Sequence, residues 1–229
     1  MKKLILSVFL ILLFGIKAYA IDEIMIEHNM AIQKHIDSIG FNILNRNKID
    51  KPIMFTYDFE NPKKFKGSGV KNHKVVIYDM DYNHADNDDE IAAFLAMKIS
   101  YAYKNYDNSS IPVFGNFQAR IMPKRHEIFN DKRAVDLMVN AGYNPLGLIT
   151  YITKTRPQKN YDFLSHHNLT SKRLAIIYEQ IFTKYPYFLT NNTYLDNEYY
   201  QNFLLNSVEN RQKLETKLQN NSTYEINYD

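Results

Sequence analysis

The sequence predicts an α+β domain, mostly helical with one small β-sheet. Two kinds of pattern carry that prediction. Apolar residues recur at helical spacing in five stretches, and two short runs rich in β-branched and aromatic residues lie between polar turns. No internal repeat is visible, so a stacked array is excluded and one core with one sheet remains. The chain has 229 residues and is 45% hydrophobic, enough for a single core and too little for a polytopic membrane protein.

The elements follow in order. Met25, Ile32, Ile36, Ile39 and Ile43 mark one face of a first helix. Pro52 to Tyr57 and Lys74 to Tyr78 read as strands, separated by a Gly- and Lys-rich stretch read as loop. The acidic, Asn-rich turn from Asp79 to Glu90 leads into a helix running from Glu90 to about Lys104. Residues 109–123 read as loop. A further helix starts near His126, striped by Ala134, Leu137, Met138 and Ala141, with Gly142 as its stop. Asn144-Pro145 reads as a cap and a first-turn proline. Leu174, Ile177, Tyr178, Ile181 and Phe182 stripe one more helix, and Tyr200, Phe203, Leu204, Val208, Leu214 and Leu218 a single last one.

Residues 1–20 read as a secretory signal, cleaved after Ala20. Lys2 and Lys3 form the basic start, Leu4 to Ile16 the apolar stretch, and Ala18-Tyr19-Ala20 the small-x-small cleavage site. The stretch is shorter than the roughly 20 residues a membrane-spanning helix needs. A retained N-terminal anchor is the alternative. The expected organisation is a signal at 1–20, a main domain at 21–190 and a C-terminal helical extension at 191–229, with no transmembrane segment after cleavage. The protein is expected to be secreted or periplasmic.

The formal charge is +3, but the first twenty residues hold Lys2, Lys3 and Lys17 and no acid, so the rest of the chain is balanced. A neutral mature chain gives no electrostatic case for a nucleic-acid partner. There is no cysteine, which excludes disulfides and thiolate metal sites.

Four stretches, in order, carry a resemblance. They are DDEIAAFLAMKISYAYK from Asp88, EIFNDKRAVDLMVNAGYNP from Glu127, HNLTSKR from His167 and KYP from Lys184. Together they resemble the gluzincin metallopeptidases that include HtpX, the CAAX prenyl protease and BepA. The likeness spans roughly Met25 to Pro186. It implies a zincin-like metallopeptidase fold, mostly helical with one small sheet. In that family a helix presents two histidines to zinc with a general-base glutamate between them, and a second helix adds a carboxylate ligand. The histidine positions hold Met97 and Tyr101 here, and the base position holds Lys98. Glu127 matches the carboxylate ligand, Asp131 its supporting aspartate, and His167 and Arg173 the late site-lining pair.

A thioether is a soft ligand ill suited to zinc beside carboxylates, a phenol keeps its proton at neutral pH, and an ammonium repels a divalent cation. The resemblance therefore implies a pseudo-protease without cofactor, one that binds a peptide or an envelope protein. Lys98 is expected to reach Glu127 and to supply part of the lost metal's charge. The plainer reading makes Met97 and Tyr101 ordinary core, Lys98 a snorkelling side chain, and Glu127 and Asp131 a solvated helix face. A working peptidase with a rebuilt metal site on Glu127 and His167, supported by His126 or Asp131, is one rival.

A calcium module is the other rival. Asp79, Asp81, Asn83, Asn87 and Glu90 fall at ligand positions of a twelve-residue EF-hand loop. However, His84 stands where the loop needs glycine, and a strand precedes it. The simpler assignment is an acidic turn that caps the next helix. Asn168-Leu169-Thr170 fits a glycosylation sequon, a match that an Asn-rich chain makes by chance.

Overall fold

The computed structural model describes residues 25–59, 69–71, 74–107, 123–156 and 168–228. The expected signal at 1–20 and His167 lie outside these residues. The architecture is α+β: mostly helical, with one small sheet. Among the described residues no helix is long and apolar enough to cross a membrane.

The first helix, α1, covers residues 25–46. Ile32, Ile36, Ile39 and Ile43 turn inward as their spacing requires, while Met25 stays half-exposed near the helix start. Strands β1 (Met54–Asp58), β2 (Gly69–Lys71) and β3 (Lys74–Tyr78) form a sheet in the order β1-β3-β2. β1 runs parallel to β3, with Phe55 opposite Val75 and Tyr57 opposite Ile77. β2 is antiparallel to β3, with Val70 opposite Val75. β2 falls inside the Gly/Lys stretch expected to be loop, and that expectation is corrected here. With only Gly69, Val70 and Lys71 in it, the strand has too little apolar pattern to stand out locally; pairing with β3 creates it.

The acidic turn begins as a short helix, α2 (Asp79–Asn83). α3 (Asp88–Asp107) then runs through the centre of the molecule. Asn87 caps it, accepting the Glu90 N–H on its side-chain oxygen at 3.0 Å, and Asp88, Asp89 and Glu90 place acid at the positive end of the helix dipole. Ile91 to Ala96 are all buried, because α3 meets the sheet on one side and two helices on the other. Those two are α4 (Pro123–Asn140) and α5 (Leu146–Thr155).

Gly142 ends α4 at φ +87°, and the Asn144 side chain accepts the Leu146 N–H at 3.0 Å to open α5. At the crossing of α3 and α5 a Cβ on Gly147 would come within 2.9 Å of the Asp89 backbone, so glycine sets how closely these helices approach.

α6 (Thr170–Lys184) packs on α4 and α5, and α7 (Tyr187–Thr190) follows directly. The single last helix expected from Tyr200 to Leu218 is in fact two, α8 (Glu198–Asn206) and α9 (Val208–Gln219), broken at Ser207. The physical reason lies in Arg211. Its guanidinium donates to the Ser207 hydroxyl at 3.1 Å and to the Leu204 carbonyl at 3.0 Å, satisfying groups that the break releases. Tyr194, Tyr200 and Phe203 are buried in the same core as α1, α3 and α5, which joins α8 to it.

Candidate functional site

Three helices bring sequence-matched positions to one place. α3 contributes Met97, α4 contributes Glu127 and Asp131, and α6 contributes Arg173. Glu127 and Asp131 are one turn apart, so both point from the same face of α4. Arg173 lies near the start of α6 and reaches across to them. Its Nε meets Asp131 Oδ2 at 2.7 Å and its Nη2 meets Oδ1 at 2.7 Å, a two-point clasp of one carboxylate. Its Nη1 lies 3.1 Å from Glu127 Oε1. Nη2 also approaches the Met97 sulfur at 3.8 Å. Glu127 Oε2 accepts from the Asn168 backbone N–H at 2.8 Å and from its side-chain amide at 3.0 Å.

The knot is deep. Asp131 is 1% exposed and Arg173 6%. Burial pushes the Asp131 carboxyl above the usual range, and the Arg173 charge in contact with it pulls the other way. Burial opposes the charge on Arg173 as well, but Asp131 and Glu127 outweigh it and hold the guanidinium above its ordinary value. The solvated-face reading of Asp131 is therefore corrected.

Arg173 contacts both carboxylates, the part expected of Lys98. The Lys98 ammonium lies 5.4 Å from the centre of the Phe94 ring, one turn back on its own helix. Burial, Arg156 and Arg173 pull it down to about 8, while Asp81 acts in the opposite direction. Tyr101 is 39% exposed, and so is not the plain core residue of the simpler reading. Met97 is partly buried against the main core.

These donors do not fit zinc. A sulfur beside a guanidinium, an ammonium and an exposed phenol stand where imidazoles and a carboxylate would be needed, and the Glu127 carboxylate is already held by Arg173 and Asn168. Among the described residues no group of three or more His, Asp or Glu could hold a metal ion.

The proposed calcium loop is likewise divided among other partners. Asp79 accepts from the Tyr57 hydroxyl at 2.5 Å, Asn87 caps α3, and Asp81 gives its carbonyl to the Tyr151 hydroxyl at 3.4 Å. Asn83 is exposed at the end of α2. Glu90 is fully buried: Oε1 accepts from Thr150 at 2.6 Å, and Oε2 from the Asp86 N–H at 2.8 Å and Lys154 at 2.7 Å. His84 caps the end of α2.

Sequence reasoning missed three of these partners. Asn168 was legible only as a chance sequon, and its contact with Glu127 depends on how α6 begins. Lys154 and Thr150 carry no motif, and their pairing with Glu90 spans α3 and α5.

No protein-family model, no curated protein and no solved structure matches the chain.

Proposed function

We propose that this is an exported, metallopeptidase-like protein with a zincin-like domain, which has lost its zinc-binding histidines and general base and binds a peptide or protein in the cell envelope without cleaving it. One observation carries the reading. A single sequence frame picked out Met97, Glu127, Asp131 and Arg173 from well-separated stretches, and the four meet at one point on three helices. The second support is chemical. The two carboxylates clasp Arg173, a position the resemblance retains, so the cluster is electrostatically satisfied by the protein's own groups. The small sheet packs on α3; Gln33 occupies the outer backbone groups of β1, so strand addition by an extended peptide is proposed at the β2 side.

Elemental analysis of the purified mature protein at neutral pH, with a casein-cleavage assay, tests the reading. The expected result is no stoichiometric zinc and no chelator-sensitive cleavage, while binding to a peptide array is retained. One zinc per chain together with cleavage that chelation abolishes would sink it. Export is checked separately by sequencing the N-terminus of the secreted protein, which should begin at Ile21.

A further inference from the structure

After α9 the chain turns back on itself. Asn221 takes a left-handed conformation at φ +47°, which asparagine tolerates better than most residues, and the Ser222 N–H donates to the Lys217 carbonyl at 3.0 Å. Residues 223–228 form neither helix nor strand, yet the side chains of their second half alternate. Tyr224 is 83% exposed, Ile226 is half-buried, Asn227 faces solvent and Tyr228 is 3% exposed. That is the period of an extended peptide laid along a surface. The surface is a groove. Ile128 of α4 and Ala175 and Ile176 of α6 enclose Ile226 and Tyr228 in an apolar cluster separate from the main core. Its polar end is Glu179 of α6. Oε2 accepts from the Tyr228 hydroxyl at 3.1 Å, while Lys217 of α9 holds Oε1 at 2.9 Å. Burial and the Glu179 charge raise the phenol above its ordinary range, so it remains a donor. Lys213 of α9 reaches the Asn227 carbonyl at 3.4 Å.

Two side chains at alternate positions fill the groove, and side-chain contacts hold the segment with no strand ladder. Grooves that bind exchangeable extended peptides work in this way, and a segment tied outside the main core belongs to the parts of a fold that open first. We propose that the groove between α4, α6 and α9 is a docking site for an extended protein segment carrying an aliphatic residue and a tyrosine two positions apart, and that residues 222–228 occupy it in cis until such a partner displaces them. The cis segment is joined directly to α9, so its effective concentration at the groove is on the order of mM, and a partner in trans binds weakly while it stays in place. The groove shares no residue with the β2 edge, so docking here and strand addition there succeed or fail separately.

The probe is a fluorescein-labelled peptide with the sequence STYEINY of residues 222–228, followed by anisotropy on the full chain, with a scrambled peptide as control. A chain carrying Ile226→Ser and Tyr228→Ser together has lost its internal competitor. It should bind the probe at least about tenfold more tightly than the parent does. Adding Ile128→Asp, a change at a half-buried wall of the groove, should remove that gain. Equal affinity of parent and double variant overturns the proposal. So does a scrambled peptide that binds as tightly, or a gain that survives Ile128→Asp. A measurement on the unmutated chain keeps the test independent of how the variants fold. With carbon-13-labelled tyrosine, unlabelled peptide at concentrations on the order of mM should move the Tyr228 ring signal to its solvent-exposed position, and the scrambled peptide should not. A Tyr228 signal that both peptides leave in place also overturns it.

Discussion

Arg173 is the residue on which the candidate site turns. Its partners on α4 are carboxylates, one of them 1% exposed, so removing the cation leaves buried charge without its counter-ion. Arg173→Met should cost about 3–5 kcal/mol in urea unfolding, and Asp131→Asn in the same chain should recover part of that loss. The coupling in this double-mutant cycle should exceed ~1 kcal/mol, and should be larger than that between Lys98→Met and Glu127→Gln. The reverse order would make Lys98 the principal counter-charge after all. Lys98 also has a pH signature. Its folded midpoint, about 8, lies below the ordinary lysine value. The folded chain therefore releases that proton first, and burying the charge costs stability most below pH 8. Lys98→Met should be stabilising relative to the parent at pH 7, with the difference shrinking between pH 8 and the ordinary lysine range. A difference that stays flat over that window would show that the ammonium is well solvated.

Contacts between elements concentrate where α3 begins. Asp89 accepts from the Asn144 N–H at 2.8 Å and from the Tyr194 hydroxyl at 3.0 Å, and Glu90 holds Thr150 and Lys154. These bonds tie α3 to the α4–α5 turn, to α5 and to the segment before α8, beside the close approach of Gly147 to Asp89. Gly147→Ala places a Cβ 2.8 Å from the Asp89 Cβ and 2.9 Å from its backbone. Neither neighbour can swing aside, so the helices must separate, at a cost of about 1–3 kcal/mol for the overpacking alone. Gly142→Ala meets nothing within 4 Å; its cost is the left-handed backbone, roughly 1–2 kcal/mol. Thermal unfolding of the pair should rank Gly147→Ala as equally or more destabilising. It should also show loss of the protected Asn144 amide in hydrogen exchange only for Gly147→Ala.

Considered as one body, the molecule packs α1, the sheet and α3 to α8 around a single core, with α3 as its axis. Rebuilding a metal centre would require more than restoring α3. Met97→His, Lys98→Glu and Tyr101→His together would supply the family's donors, but Glu127 would still be held by Arg173. Zinc affinity, measured by competition with a chromogenic chelator, should rise modestly in the triple variant and further when Arg173→Met is added. No gain in either would mean that Glu127 does not face that turn of α3. Calcium should leave the melting temperature unchanged, because Asp79 and Glu90 already have protein partners and Asn87 caps a helix. An upward shift that grows with calcium concentration would revive the loop reading.

Periodicity was enough to read the helical face of α1, the strand β3, the cores of α3, α4 and α6, and the Gly142 stop. These depend on spacings of two or about 3.6 residues and on local backbone preference, which a single chain displays directly. The grouping of Glu127, Asp131 and Arg173 came instead from the resemblance of separate stretches to one family, and the structure brings the three into contact. Their arrangement was not legible, because sequence order does not tell which cation will contact which carboxylate. Arg173 is 42 residues from Asp131, and it takes the contact because α6 packs on α4 and carries a rigid fork to it. Lys98, on α3, lies over the Phe94 ring. The pairing of β2 with β3, the break at Ser207 and the burial of Glu90 with Lys154 likewise come from distant partners. Each exchanges a weak local preference for a hydrogen bond or ion pair that exists only once the helices and strands are packed together.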